Sequence, residues 1–236
     1  MIRSNPFQSA WTYFTAGEKT LWCLSVALVL GMFLLFDRQN YLSLAASLVG
    51  VTSLIFNAKA NPLGQALMVL FSLLYGVISF GFAYYGEMLT YLGMTAPMSL
   101  FALASWLRNP YQGNRGQVKI HKLRRREALA MLVWAVPVTI FFYFVLRAFH
   151  TANLIPSTVS VTTSFLAVYL TCKRSPWFAL AYAANDLVLI VLWAAAALSD
   201  RAYLSVAACF LVFLANDVYT YVSWRRLQAL QQGAWT

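Results

Sequence analysis

Long apolar stretches alternate with short polar connections along almost the whole chain. A helix needs about 20 mostly apolar residues to cross the hydrocarbon core of a bilayer. The stretches are too long for membrane β-strands and lack their alternation of apolar and polar positions. The pattern therefore predicts an all-α integral membrane protein with eight transmembrane helices, at 20–36, 41–56, 63–85, 88–107, 128–147, 152–171, 177–198 and 202–224.

The composition also indicates that these helices lie in membrane lipid. Of the 236 residues, 61% are hydrophobic and 10% are charged. A soluble domain has roughly a quarter charged residues, because water must solvate its surface. We therefore predict that membrane lipid surrounds most of the chain.

Positive charge is concentrated in one connection. Seven basic residues lie between the fourth and fifth predicted helices: Arg108, Arg115, Lys119, Lys122, Arg124, Arg125 and Arg126. Such loops face the cytoplasm under the positive-inside rule. With both termini inside, fourteen Lys and Arg residues lie on the inner side and three on the outer side. This asymmetry predicts an N-in/C-in orientation. No nucleic-acid partner is expected, since no nucleic-acid-binding motif accompanies the net charge of +10.

Three short motifs recur in the second half of the chain in the same order. The pairs are 50–53 (GVTS) and 160–163 (SVTT), 61–62 (NP) and 175–176 (SP), and 106–108 (WLR) and 224–226 (WRR). Their offsets of 110, 114 and 118 residues grow in one direction, as expected for two copies with small insertions. Helices two to four and six to eight are therefore predicted to be parallel repeats in a 1+3+1+3 plan. Transporters with parallel repeats bind substrate near the midplane between them.

This plan divides the chain into five parts. The first apolar run lacks a small-residue cleavage site, so it is predicted to remain as an extra helix. The parts are an N-terminal segment with this helix (1–40), the first repeat (41–107), the basic loop with a linker helix (108–151), the second repeat (152–224) and a cytoplasmic tail (225–236).

Two of the seven carboxylates lie deep in predicted helices. Asp186 and Asp217 each end an Ala-Asn-Asp triplet, roughly 13 Å and 10 Å from the inner face. Ionisable side chains at this depth indicate function by default, although hydrogen bonds that hold the bundle together are an open alternative. The others are predicted to be solvated at helix ends (Glu18, Asp37, Glu127 and Asp200) or to lie in an outer connection (Glu87).

Aromatic and polar side chains share faces of three predicted helices, because residues three or four positions apart lie on one side of a helix. These faces comprise Phe178, Tyr182, Asn185, Leu189 and Trp193 in helix seven, Gln65, Met68, Ser72, Tyr75 and Ser79 in helix three, and Phe213, Asn216 and Thr220 in helix eight. Tryptophan is also common at membrane interfaces. The predicted interfacial residues are Trp11, Trp22, Trp106, Trp177 and Trp224.

The motifs of several enzyme classes are absent from the sequence. There is no GxxxxGK[ST] phosphate loop, no HExxH or paired-histidine metal site and no GxSxG element. No lysine lies inside a predicted helix. We therefore predict no catalytic residues, no metal and no cofactor.

A family resemblance becomes visible at the third and fourth helices. The stretches 61–65 (NPLGQ), 85–98 (YGEMLTYLGMTAPM) and 105–111 (SWLRNPY) resemble the signature of PnuC-type transporters. The similarity extends over helices two to eight and agrees with the repeat plan. It implies the fold of the SWEET sugar carriers, with the first helix outside the repeat plan.

The resemblance also implies a function. Members of this family take up nicotinamide riboside by facilitated diffusion with alternating access, and intracellular phosphorylation traps the substrate. A homotrimer in the bacterial inner membrane is implied too. Relatives of the same fold are assigned to thiamine, riboflavin or deoxyribonucleosides, so these substrates stay open. A proton-coupled carrier that uses Asp186 or Asp217 and a non-transporting receptor are further alternatives.

The chemistry of a riboside with a cationic pyridinium ring suggests which side chains would bind it. Aromatic faces can hold the cation, and amide or carboxyl groups suit the ribose hydroxyls. Helical facing then selects the predicted substrate-binding residues: Asn185, Trp193, Tyr182, Asn216, Gln65, Tyr75 and Asp186.

Overall fold

Eight long helices make up most of the computed structural model, which describes residues 13–81, 84–151 and 153–233. They are α1 (Ala16–Phe36), α2 (Tyr41–Ala58), α3 (Pro62–Gly81), α4 (Tyr85–Leu107), α5 (Arg125–Ala148), α6 (Leu154–Cys172), α7 (Trp177–Ala196) and α8 (Tyr203–Gln231). Two short strands, β1 (Pro110–Tyr111) and β2 (Asn114–Val118), lie between α4 and α5. Each helix is long and apolar enough to cross a membrane. Within the described residues, the prediction of an all-α fold with eight spans is confirmed.

Two helix ends differ clearly from the predicted bounds. The apolar run of the third segment continues to residue 85, but α3 ends at Gly81 and a new helix begins at Tyr85. At the other end of the chain, α8 runs to Gln231, so the first part of the predicted tail continues the helix. Trp11 and the rest of residues 1–12 lie outside the described residues.

α4 is interrupted in its first half. An α-helical turn at Tyr85–Thr90 is followed by a π-helical turn at Tyr91–Thr95, and α-helix resumes at Ala96–Leu107. Pro97 lacks a backbone N–H, so it cannot donate to the carbonyl one turn before it. The Thr95 hydroxyl donates to the Thr90 carbonyl at 3.2 Å and satisfies part of the opened backbone. Turns of this kind are frequent at functional sites.

The helices pack as two groups of three with two additional helices. In the first group α3 lies against α2 and α4, and in the second group α7 lies against α6 and α8. The groups contact each other where α8 packs on α2 and α4 packs on α6. The additional helix α1 lies against α2 and α8, and α5 lies against α6.

The first helix of each group ends in the same kind of turn. Ala60 and Arg174 have positive φ angles of 54° and 55°. Their N–H groups donate to the carbonyls of Asn57 and Thr171, both at 2.9 Å. In each turn a proline follows two residues later and leads into the next helix.

Two buried tryptophans join the groups reciprocally. The Trp106 indole of α4 donates to the Thr171 carbonyl of α6 at 3.0 Å, and the Trp224 indole of α8 donates to the Asn57 carbonyl of α2 at 2.7 Å. The serine directly before each tryptophan makes a parallel bond. Its hydroxyl donates to the carbonyl of the residue that follows Thr171 in α6, at 2.9 Å, or Asn57 in α2, at 2.8 Å. Each group therefore satisfies free carbonyls at a helix end of the other.

These contacts correct the prediction of interfacial tryptophans. Trp106 and Trp224 are 0% exposed, so their assignment to the interface was wrong. A buried indole needs a partner for its N–H, and the carbonyl ends of α6 and α2 provide it. Trp177, by contrast, is 46% exposed, as an interfacial residue would be.

The basic connection is folded against the same end of the bundle, which we call the basic end (residues 108–124 and the helix ends they touch). β1 and β2 form an antiparallel hairpin. The Val118 N–H donates to the Ala60 carbonyl at 2.8 Å, and the His121 N–H donates to the Arg174 carbonyl at 3.0 Å. Gln231 of α8 donates to the Val118 carbonyl at 3.1 Å. The connection is therefore fixed to both turns that end in a positive φ.

Glu18 is buried, so its prediction as a solvated carboxylate was wrong. Its side chain pairs with Lys59 at 3.2 Å and closes a capping box with Thr15 at the start of α1. The reason is that the N-terminus of α1 packs beside the turn that follows α2, where Lys59 supplies a positive charge.

Candidate functional site

A small cavity lies where the two three-helix groups meet. Its apolar wall consists of Leu54 from α2, Met68 from α3 and Phe213 from α8. Its polar residues are Tyr91 and Thr95 from the π-helical turn, and Ser164, Tyr182, Asn185, Asp186 and Asp217 from the second group. The cavity has a volume of about 20 Å³. This is enough space for one water molecule, so the cavity has no room for a larger solute in this conformation.

Asn185 connects α7 to α6 at the edge of this cavity. Its Oδ1 accepts hydrogen bonds from the hydroxyls of Ser160, Thr163 and Ser164, at 3.2, 2.8 and 3.1 Å. The hydroxyl-rich side of α6 therefore fixes the position of the amide, while Asn185 also lines the cavity.

Asp186 and Asp217 form a pair of buried carboxyl groups. The antiparallel helices α7 and α8 bring the two side chains within hydrogen-bond reach of each other. Asp186 Oδ2 and Asp217 Oδ1 accept no hydrogen bond from a donor in the described residues. The two carboxyl groups predicted deep in their helices therefore lie beside each other. Two carboxyl groups this close would repel each other if both were ionised.

An aromatic cluster continues from the cavity away from the basic end. We define it as Tyr75, Tyr84, Tyr91, Trp193 and Tyr203. The Tyr75 and Tyr91 ring centroids are 4.4 Å apart, and Trp193 lies 4.7 Å from Tyr84 and 5.6 Å from Tyr203. Tyr75 and Trp193 meet edge to face at 6.2 Å. The cluster offers several ring faces between the cavity and the opposite end of the bundle.

The structure brings five of the seven predicted binding residues to this region. Tyr182, Asn185 and Asp186 line the cavity. Tyr75 and Trp193 belong to the aromatic cluster beside it. Their role in binding stays a prediction.

The two other predicted residues lie elsewhere. Gln65 Nε2 donates to Asn57 Oδ1 at 2.9 Å and joins α3 to α2 inside the first group. Asn216 Nδ2 donates to the Ser25 hydroxyl of α1 at 3.0 Å and to the Val212 carbonyl at 2.8 Å. Neither residue lines the cavity, because each amide is held by a neighbouring helix.

The predicted set did not include Asp217, Tyr91, Thr95 or Ser164, which also line the cavity. For Asp217 a signal existed, since it ends the second Ala-Asn-Asp triplet at the same depth as Asp186. For Tyr91 and Thr95 the signal was Pro97 inside an apolar run, because a proline indicates a disturbed helix there.

Glu87 belongs to the same region and not to an exposed connection. It lies in the first turn of α4 and is 1% exposed, so its predicted place in an outer connection was wrong. The reason is that α4 begins at Tyr85, before the residue at which its apolar run begins. Glu87 interacts electrostatically with Tyr75 and Tyr91 of the aromatic cluster.

The arrangement suits the binding of a polar solute that contains a ring. It combines ring faces, an oriented amide and carboxyl oxygens around one closed space, as small-molecule sites do. Among the described residues, no group of three His, Cys, Asp or Glu side chains is placed to hold a metal ion.

In each comparison with known proteins, the similar proteins are transporters. A family model described as nicotinamide mononucleotide transporter matches residues 40–226, so α1 precedes the match. The nicotinamide riboside transporter PnuC of Neisseria mucosa is 25% identical over an alignment of 230 residues, which covers 94% of this chain and 85% of that protein. The crystal structure of the vitamin B3 transporter PnuC has a similar fold, with a TM-score of 0.81 over 92% of this chain and 94% of that chain, at 22% identity.

Proposed function

Because this chain belongs to the nicotinamide mononucleotide transporter family, we propose that it takes up nicotinamide riboside by facilitated diffusion. The family and its relatives are membrane transporters and not enzymes. The observation that supports the substrate most directly is the closed central cavity with an amide, two carboxyl groups and adjoining aromatic rings.

The chemistry of nicotinamide riboside fits these groups. The substrate has a cationic pyridinium ring, a carboxamide and a ribose with hydroxyl groups. Tyr91 and Tyr182 at the cavity offer ring faces for the cation. Asn185 is oriented by three hydroxyls and is suited to hydrogen-bond the carboxamide or the ribose.

Alternating access is the mechanism that the closed cavity favours. A space of about 20 Å³ admits no riboside, so the two groups must separate at one end to load it and at the other to release it. The reciprocal bonds of Trp106 and Trp224 join the two groups at the basic end. Opening toward that end requires these bonds to break.

We propose that the two groups are parallel repeats in the 1+3+1+3 plan. The support is that matching contacts occur in both groups. The turn at Ala60 recurs 114 residues later at Arg174. The indole bond of Trp106 recurs 118 residues later at Trp224. Parallel repeats place a substrate site between them, and the cavity lies between the groups. The division at 41–107 and 152–224 follows from this plan.

Orientation, location and assembly are part of the same proposal. Fourteen of the seventeen basic residues lie on one side in an N-in/C-in arrangement, which favours a cytoplasmic basic end in a bacterial inner membrane. The substrate would then be trapped by phosphorylation inside the cell. The resemblance to PnuC-type transporters is the ground for a homotrimer, and the exposed apolar face of α5 (Trp134, Phe141 and Phe144 among others) is available for a subunit or for lipid.

The test is uptake of labelled nicotinamide riboside into proteoliposomes that contain only this protein, without ATP or an ion gradient. We expect saturable uptake that unlabelled riboside competes away and that protein-free liposomes lack. Entry of thymidine or riboflavin in place of the riboside would contradict the proposed substrate.

The carboxyl pair favours one second candidate, a proton-coupled carrier. Asp186 and Asp217 are buried and adjacent, as proton-carrying groups in membrane transporters are. Under this alternative, an inward proton gradient accelerates uptake and a protonophore removes the acceleration. Uptake that is equal with and without the gradient would exclude coupling.

A further inference from the structure

Three carboxyl groups lie in the core between the two helix groups, and none of them forms an ion pair with a basic side chain that the structure describes. Glu87, Asp186 and Asp217 are 1%, 3% and 2% exposed. The ion pairs in the described residues lie at the basic end, where Lys59 pairs with Glu18, and His121 and Lys173 pair with Glu127. Buried charges are normally paired, so this core has acidic groups that no described protein cation neutralises.

The three carboxyl groups share one neighbouring region, around Tyr91. Asp186 and Asp217 line the cavity, and Tyr91 lines it with them. Tyr91 interacts electrostatically with both Asp186 and Glu87, so it lies near the carboxyl pair and near Glu87.

Hydrogen bonding leaves these carboxyl groups available to a ligand. Asp186 Oδ2 and Asp217 Oδ1 are buried and receive no hydrogen bond from a donor in the described residues. Ser160 is within reach of both Glu87 and Asn185, and its hydroxyl donates to Asn185 Oδ1 at 3.2 Å. A purely structural carboxylate in lipid would be expected to accept several hydrogen bonds from its neighbours.

We propose that Glu87, Asp186 and Asp217 select substrates whose ring has a positive charge. This inference rests on the proposed function and names the chemical property that the site recognises. A cationic ring between the carboxyl pair and the faces of Tyr91 and Tyr75 would favour an ionised carboxylate beside it and gain cation–π contacts. Of the substrates left open by the sequence, nicotinamide riboside and thiamine have a charged ring, whereas riboflavin and thymidine do not.

The experiment compares nicotinamide riboside with its 1,4-dihydro form. The two share the ribose and the carboxamide, but the dihydronicotinamide ring is uncharged. Uptake of both labelled compounds is measured in proteoliposomes for the wild type and for Asp217→Asn and Glu87→Gln. Glu18→Gln is the matched control, because Glu18 is also buried but pairs with Lys59 at the basic end.

We expect the wild type to prefer the cation. Each site variant should lower uptake of the cation by about tenfold or more and leave uptake of the dihydro form within about twofold, while Glu18→Gln keeps the wild-type ratio. Retained uptake of the dihydro form also shows that a variant is folded. For a variant that takes up neither compound, binding of both to the detergent-solubilised protein replaces uptake, with the same ratio expected.

The outcomes separate this inference from the proposed function. Equal losses for both compounds, or no change in their ratio, would overturn charge selection while the riboside remains the substrate. A wild type that rejects the riboside but takes up thiamine would overturn the proposed substrate and support charge selection. A wild type that takes up only uncharged compounds would overturn both.

Discussion

The reciprocal tryptophan bonds lead to a quantitative prediction about stability. Replacement of Trp106 or Trp224 by phenylalanine keeps an aromatic ring but removes the indole N–H that joins the two helix groups. The Thr171 and Asn57 carbonyls each keep a second donor, the N–H groups of Arg174 and Ala60 at 2.9 Å. Neither acceptor is therefore left unsatisfied, and the cost is limited to the lost bond and the smaller ring.

The magnitude follows from these two contributions. An interhelical hydrogen bond in a membrane protein contributes about 0.6 kcal/mol on average. Reducing a fully buried indole to a phenyl ring leaves a small void that costs about another 1 kcal/mol. We expect a loss of about 1–2 kcal/mol for each substitution. For a chain of this size, this lowers Tm by about 2–8 °C.

The assay is thermal unfolding of the purified protein in detergent, with Trp177→Phe as the control. Trp177 lies at the same end of the bundle but is 46% exposed and contacts only the Tyr221 ring among the described aromatic pairs, at 5.6 Å. Its replacement should change Tm by less than about 2 °C. The Trp106 and Trp224 rings are 5.2 Å apart, so the double variant should not show simple additivity.

Two results would refute this reasoning. A decrease in Tm for Trp177→Phe equal to that for the buried tryptophans would mean that burial and the interhelical bonds are not the cause. Unchanged Tm for both Trp106→Phe and Trp224→Phe would mean that the reciprocal bonds do not hold the groups together.

We expect different effects from replacing the two asparagines. Asn185→Leu should reduce riboside uptake by about tenfold or more, because the cavity loses its amide. Asn216→Leu should lower Tm and leave uptake nearly unchanged. Trp193→Ala should weaken uptake while the protein still assembles, as size-exclusion chromatography would show. Gly64→Ala should sharply reduce the yield of folded protein, because its Cβ would lie 2.7 Å from the Asn57 backbone nitrogen. Gly17→Ala, whose Cβ meets nothing within 4 Å, is the expression control.

The spans could be predicted because the membrane imposes one length on every helix. The matching turns of the proposed repeats were also visible in the sequence, because both turns need the same chemistry. Ala60 and Arg174 adopt a positive φ before a proline that leads into the next helix, and the NP and SP motifs mark these positions.

The environment of a side chain at a helix end could not be predicted in the same way. Trp106, Trp177 and Trp224 all follow or precede long apolar runs, and local sequence does not distinguish them. What separates them is whether a carbonyl of another helix lies within reach, and this depends on contacts between residues more than 60 positions apart. Glu87 was misplaced for a similar reason, since the start of α4 is set by packing against α3 and α6.

The two Ala-Asn-Asp triplets show why helical facing alone could not identify the site. In α7 both Asn185 and Asp186 reach the cavity, whereas in α8 only Asp217 does. The difference comes from α1, because Asn216 is bonded to Ser25 of that helix and Tyr219 donates to Glu18 of the same helix at 3.3 Å. α1 lies outside the two groups of three, so its contacts make the two groups unequal. We infer that Asn216 attaches the additional helix, while its counterpart Asn185 keeps the position at the cavity.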